Sequence, residues 1–324
     1  MIKLMEERIN LESFAAKAEQ LQREIAKIIV GQEEAVSLVL TAILADGHVL
    51  LEGVPGVAKT LMARLVSRLI DARFSRVQFT PDLMPTDVLG TTVFNMKTST
   101  FDFHRGPVFA DIVLVDEINR APAKTQAALF EVMEERQATI DGTTYRMNDL
   151  YTIIATQNPV EQEGTYKLPE AQLDRFMMKV EMGYPTVEQE VEILRRHQQH
   201  RAFVRLDGLQ PVLTIEELLG MREMMKQVVV DESLLGYIAQ IIQQTRTSKM
   251  VYLGASPRAT VAMLQASKAY ALLAGRDFVL PEDIKTVTPA VLQHRLALTA
   301  EAEMEGFTSK KVVMRLIDKV EVPK

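Results

Sequence analysis

The chain has 324 residues, of which 47% are hydrophobic and 25% charged, and its formal net charge is −6. Those values fit a folded protein with a sizeable core and about two domains, and they exclude a disordered chain or a uniformly basic nucleic-acid-binding surface. There is no cysteine, so disulfides, Cys-ligated zinc, iron–sulfur clusters and a thiolate nucleophile are excluded.

The N-terminal residues carry charges of both signs and do not read as a signal peptide. No apolar run approaches the roughly 18 residues needed to span a bilayer. The expectation is a soluble, cytoplasmic protein without membrane insertion. From Leu11 the residues Phe14, Ala18, Leu21, Ile25 and Ile28 recur at three- to four-residue spacing, which predicts a helix. Val30-Gly31-Gln32 interrupts it, and a second helix is expected from about Glu33 to Ala45. The period then changes. His48–Glu52 is a short apolar run ending at Gly53, as in a buried parallel strand. Similar runs occur at Phe74–Phe79, Ile112–Val115, Tyr151–Ala155 and Met177–Val180. Helical stretches at Lys59–Ile70, Lys124–Glu135 and Ala171–Phe176 separate most of them. This alternation predicts a doubly wound, mostly parallel α/β sheet.

Two hairpins interrupt the alternation. One joins Thr91–Met96 to Thr100–Arg105, and the other joins Gln137–Ile140 to Thr143–Met147 through Asp141-Gly142. After Gly183-Tyr184-Pro185 the strands are expected to stop, because proline cannot continue a ladder. A nucleotide-type α/β domain over 1–184 would then give way to a helical domain over 185–324. Its expected helices are Thr186–His197, Thr214–Val228, Asp231–Thr245, Ser256–Ala274, Pro281–Leu296 and Ser309–Val320, with Thr214, Asp231 and Ser256 as N-caps.

The chemistry concentrates after three strands. Gly53-Val54-Pro55-Gly56-Val57-Ala58-Lys59-Thr60 follows a strand and opens a helix, the context of a phosphate loop. Its backbone N–H groups would cradle the β-phosphate of a nucleotide at the positive end of the helix that runs on through Leu61. Lys59 would reach the β- and γ-phosphates, and the Thr60 hydroxyl would bind Mg²⁺. Ile112-Val113-Leu114-Val115-Asp116-Glu117 delivers two carboxylates to the same sheet edge. Asp116 would hold Mg²⁺, and Glu117 would polarise the attacking water. Thr152–Thr156 leads to Gln157-Asn158-Pro159, placing the Asn158 amide between the other two. His197 and His200 share helical spacing but have no third metal ligand, so a wet helix face is expected.

In their order these features resemble AAA+ ATPases. Six segments narrow the likeness to the MoxR family over roughly residues 25–300. They are Ile29-Val30-Gly31-Gln32, the phosphate loop with Ala58, Asp116–Pro122, Ala155–Pro159, Leu173-Asp174-Arg175-Phe176, and Gly254–Ala259. The resemblance implies a P-loop AAA+ fold with a small all-α lid, and Mg²⁺-dependent ATP hydrolysis in a hexamer or similar ring. It implies chaperone-like remodelling, maturation or metal loading of partners, often proteins with a von Willebrand factor A domain. It assigns Val30, Gly31 and Gln32 to the adenine side, Arg175 as an arginine finger, and Arg258 as a lid residue reaching the γ-phosphate. Arg120 is left between a neighbouring subunit and solvent. The hairpins match two family insertions, at about 85–107 and 137–147, facing the pore or an axial surface. A nucleic-acid motor and a binding switch with little turnover are the alternatives. The acidic charge speaks against the first, and intact Glu117 and Arg175 against the second.

Overall fold

Hydrophobic spacing dictates the first elements. In the computed structural model, which describes residues 12–159, 166, 168–198 and 206–323, helices α1 (Glu12–Ala26) and α2 (Glu33–Leu44) open the chain. Leu11 and His200 lie outside the described residues. The α1 stripe of Phe14, Ala18, Leu21 and Ile25 is buried. The chain then lays down β1 (Val49–Gly53), α3 (Lys59–Leu69), β2 (Phe74–Gln78) and α4 (Pro85–Leu89). The hairpin β3 (Gly90–Asn95) and β4 (Thr100–Arg105) follows, then β5 (Ile112–Asp116) and α5 (Ala123–Glu135). A second hairpin, β6 (Gln137–Ile140) and β7 (Thr143–Arg146), leads to β8 (Thr152–Gln157), α6 (Glu170–Leu173) and β9 (Met178–Met182).

Five strands form one sheet in the order β2-β5-β8-β1-β9, and every pairing is parallel. The period-2 alternation of side chains splits each central strand between two cores. Val49 and Leu51 of β1, with Ile112 and Leu114 of β5, pack on one side against α1, α2 and α3. Leu50, Val113 and Val115 pack on the other against Leu129, Phe130 and Met133 of α5. Both faces are dry, so the strands read as continuous apolar runs. Because β1, β5 and β8 run parallel, their C-terminal ends meet at one edge.

The remaining helices are α7 (Val187–Gln198), α8 (Ile215–Gln227), α9 (Glu232–Thr247), α10 (Pro257–Leu273), α11 (Pro281–Leu292), α12 (Ala300–Met304) and α13 (Ser309–Ile317). The apolar faces of α8, α9, α10, α11 and α13 join the core on the α2 side of the sheet, whereas α7 buries no residue. Thr214 caps α8 in a reciprocal box with Glu217, and Asp231 accepts from the Ser233 amide at α9. Ser256 is the N-cap residue of α10 but its side chain accepts no capping bond, and its hydroxyl donates to Asp174. The lid is helical as expected, with one addition. A ribbon pairs β10 (Val251–Leu253) with β11 (Ala297–Leu298). The expected helix Pro281–Leu296 stops at Leu292, and the residues beyond turn toward the sheet.

Both inserted hairpins are present. They touch each other, with the Phe103 and Tyr145 rings 4.4 Å apart and Phe109 edge-on to Phe103. No helix among the described residues is long and apolar enough to cross a membrane.

Two buried histidines tie the body together. His48 accepts from the Ile153 amide through Nδ1 and donates through Nε2 to the Met133 carbonyl. Burial, helped by the charge of Arg136, drives its pKa from 6.5 down to about 4. His294 is pushed well below 6.5, by burial and then by Arg295. A histidine that stays neutral when folded but protonates when unfolded contributes stability above pH 6.5, which is lost as pH falls toward 4. His48 alone is expected to withdraw stability on the order of 1–2 kcal/mol between pH 6.5 and 5. Urea titrations at the two pH values test this. His48→Gln should be less stable at neutral pH yet lose less on acidification, and an unchanged pH dependence would contradict the assignment.

Candidate active site

The turn after β1 is shaped by close contact and by an unusual backbone. A Cβ on Gly53 would lie 2.6 Å from the Met182 carbonyl oxygen, so only glycine lets the loop leave the sheet beside β9. Ala58, immediately before α3, has φ +67°, the left-handed region in which the general loop pattern places glycine. The Lys59 ammonium donates to the carbonyls of Gly53 and Val54, which draws it across the mouth of the loop.

The acidic strand ends beside this loop. Asp116 is buried at 6% exposure, and both of its carboxylate oxygens have partners. Oδ1 accepts from the Thr156 hydroxyl at 3.0 Å, and Oδ2 accepts from Arg76 Nε at 2.6 Å and from the Thr60 hydroxyl at 3.4 Å. Thr156 does double duty, because its oxygen also accepts the Glu117 amide at 3.0 Å. β8 separates β5 from β1 in the sheet, so this hydroxyl from β8 sets the geometry of both carboxylates.

Glu117 has φ +56° and ψ +51°, a strained conformation for a residue with a Cβ, of the kind found where geometry serves function. The kink turns its side chain away from that of Asp116. Gln78 Nε2 donates to its carboxylate at 2.9 Å, and Arg120 forms an ion pair with it at 2.9 Å. Arg120 therefore belongs to the Glu117 cluster of its own chain. Asn158 is also buried at this edge.

These residues share one open cavity of about 380 Å³. It is lined by Pro55, Gly56, Ala58, Lys59, Thr60 and Leu61 on the loop side, and by Arg76, Gln78, Asp116, Glu117, Thr156 and Asn158 on the sheet side. Gly56 and Ala58 also line a neighbouring cavity of about 240 Å³ with Ile28, Val30, Gln32 and Ile193. Gly31 does not face that space. Its φ is +75°, and an added Cβ would meet the Gln189 side chain at 2.4 Å.

The two expected arginines sit elsewhere. Neither Arg175 nor Arg258 lines the cavity of the phosphate loop. Arg175 donates to the Phe130 carbonyl at 3.0 Å and pairs with Glu134 at 3.2 Å. Arg258, from the first turn of α10, pairs with the other oxygen of Glu134 at 2.7 Å. Within this chain Arg258 meets Glu134 and does not line the cavity of the phosphate loop. Two guanidiniums, one from each part of the molecule, are gathered on a single carboxylate.

Arg76, Gln78, Glu134 and Asp174 were not singled out by sequence reasoning. The available signal was β2 itself, Phe-Ser-Arg-Val-Gln, whose Arg76 and Gln78 alternate onto one face beside the acidic strand.

Thr60 and Asp116 present two oxygen donors at the cavity floor, a set suited to Mg²⁺ bound partly through phosphate and water. No group of three or more metal-ligating His, Cys, Asp or Glu side chains occurs among the described residues.

A parallel sheet with a phosphate loop at β1, an acidic pair at β5, an amide at β8 and a following lid defines the AAA class of ATPases. The family model described as the ATPase family associated with various cellular activities (AAA) matches residues 48–178, and that of the AAA lid domain matches 243–316. The chain is 46% identical over 92% of its length to the uncharacterized protein YeaC of Bacillus subtilis, again over 92% of that protein. It is 43% identical to Chaperone MoxR1 of Mycobacterium tuberculosis, covering 96% of this chain and 85% of that one. The crystal structure of a candidate ATPase from Cytophaga hutchinsonii superposes with a TM-score of 0.87 at 40% identity, covering 96% of each chain. The chain belongs to the MoxR family of AAA+ ATPases.

Proposed function

We propose that the chain binds ATP with Mg²⁺ in the paired cavities and hydrolyses it within a ring of its own copies. The observation that carries this reading is the convergence of Lys59, Thr60, Asp116, Glu117 and Asn158 on one cavity beside the phosphate loop. The amides at the start of α3 and the Lys59 ammonium bind the β- and γ-phosphates. Thr60 and Asp116 hold the Mg²⁺, which would neutralise charge on the phosphates. Glu117 accepts the proton of the attacking water. Asn158 orients that water or the γ-phosphate. The adenine occupies the space beside Val30 and Gln32, with Gly31 turning the backbone there. Arg175 and Arg258 act together on the nucleotide of the next subunit, where a guanidinium spreads the charge of the transition state. The lid and α/β body divide near Pro185.

The product of this cycle is mechanical. We take the work to be chaperone-like remodelling, maturation or metal loading of a partner protein, as the name of the mycobacterial relative suggests. The family resemblance points to partners with a von Willebrand factor A domain.

Lys59→Ala tests the binding half. It removes the main positive side chain from the phosphate site and should weaken ATP binding at least tenfold, about 1.4 kcal/mol. Equilibrium titration with a fluorescent ATP analogue measures it. Affinity equal to that of the parent would reject the phosphate loop.

A further inference from the structure

Arg295 follows the end of α11, and its side chain is only 3% exposed. Such burial removes a guanidinium from water at considerable cost, so its partners must compensate. They lie mostly on one short stretch of chain. Nε donates to Asp174 Oδ1 at 2.7 Å. Nη2 donates to the Asp174 carbonyl at 3.2 Å and to the Phe176 carbonyl at 2.9 Å. Nη1 donates to the Met177 carbonyl at 3.3 Å and to the Val291 carbonyl of α11 at 2.9 Å. The neighbouring His294 adds a bond to Phe176. Residues 174–177 lie between α6 and β9, where no ladder satisfies their carbonyls. A lid side chain supplies that satisfaction, and the segment it grips contains Arg175.

A second contact reinforces the first. The other oxygen of Asp174 accepts from Ser256 at 3.3 Å and lies 3.9 Å from Arg258, both at the start of α10. Arg175 and Arg258 then meet on Glu134.

We propose that Arg295 is a positioning residue for Arg175: it fastens the turn that carries Arg175 to the lid, so that the lid of one subunit sets the guanidinium offered to the next. The proposal rests on the reading that Arg175 acts on a neighbour's nucleotide. Closure of the lid over a subunit's own ATP would be felt through Arg295 at the adjacent active site. The fork geometry is essential, because four of the five directed N–H bonds fix the turn, the fifth returning to α11, and a lysine ammonium offers only three donors around a point.

The test uses Arg295→Lys in the full chain, which keeps the charge and loses the fork. ATP-analogue binding should stay within about twofold of the parent while hydrolysis falls at least tenfold, because the variant's own pocket is untouched. Mixing assigns the lesion to one side of the interface. The variant keeps a working pocket and offers a displaced finger, so mixing it with Glu117→Gln should restore activity. Mixing it with Arg175→Ala should not, since both lack a placed finger. A general structural defect would be rescued by neither partner, and that outcome overturns the proposal, as would parental activity in the variant alone. If Arg175→Ala itself fails to complement Glu117→Gln, the reading of Arg175 falls and the proposal falls with it. Asp174→Asn leaves Arg295 its four carbonyl bonds and should complement in the same pattern, so the test stays open if the lysine variant does not assemble.

Discussion

Glu117→Gln is expected to bind ATP as the parent does and to lose at least a hundredfold in turnover. The amide has the shape of the carboxylate but cannot accept a proton from water. Binding should survive because the phosphates are assigned to the loop and Lys59, which line the same cavity separately from the Glu117 side chain. The backbone supports a separate role for this residue. At φ +56° Glu117 turns away from Asp116, and Gln78 and Arg120 hold its carboxylate rather than Thr60. Single-turnover hydrolysis beside an equilibrium binding titration measures the two quantities. Loss of binding in step with turnover would show that Glu117 is structural or a metal ligand.

Arg175→Ala is expected to cost still more, about a thousandfold in turnover, if it serves the next subunit as the proposed arginine finger. Binding to the isolated subunit should hardly change, because Arg175 does not line that subunit's cavity. The same geometry predicts that the parent's specific activity rises with protein concentration as subunits associate. Hydrolysis by a proven monomer at full specific activity would reject a finger supplied by a neighbour. Loss of nucleotide affinity in Arg175→Ala monomers would place the side chain in its own pocket instead.

The site was legible where a residue's role follows from strand, turn and helix in sequence. The phosphate loop, Asp116-Glu117 and Asn158 each sit at the end of a short apolar run, and a parallel sheet brings such ends to one edge. What no local pattern carries is pairing across the fold. The alternation of β2 puts Arg76 and Gln78 on one face, but it does not name Asp116, forty residues away in the chain, as the partner of Arg76. The grouping of Arg175 and Arg258 on Glu134 depends on how the lid packs, and on α5 lying under the turn that follows α6. The ribbon of Val251–Leu253 with Ala297–Leu298 is too short for a strand period to register. Ser256 holds the N-cap position that its residue type suits, but its hydroxyl accepts no capping bond and donates to Asp174, a pairing that no local pattern carries. The end of α11 was missed for a related reason. The chain beyond Leu292 leaves the helix, and there His294 and Arg295 bond to the segment before β9.

The central claim is that one subunit's pocket works with another subunit's arginine. The most direct measurement is ATP hydrolysis by a mixture of Glu117→Gln and Arg175→Ala, with co-assembly verified by sizing. Each variant alone is expected to be nearly inactive, the first for want of a base and the second for want of a finger. In the mixture, interfaces that join an intact Glu117 to an intact Arg175 should restore a measurable fraction of the parent's activity. A co-assembled mixture as inactive as either variant alone would contradict it.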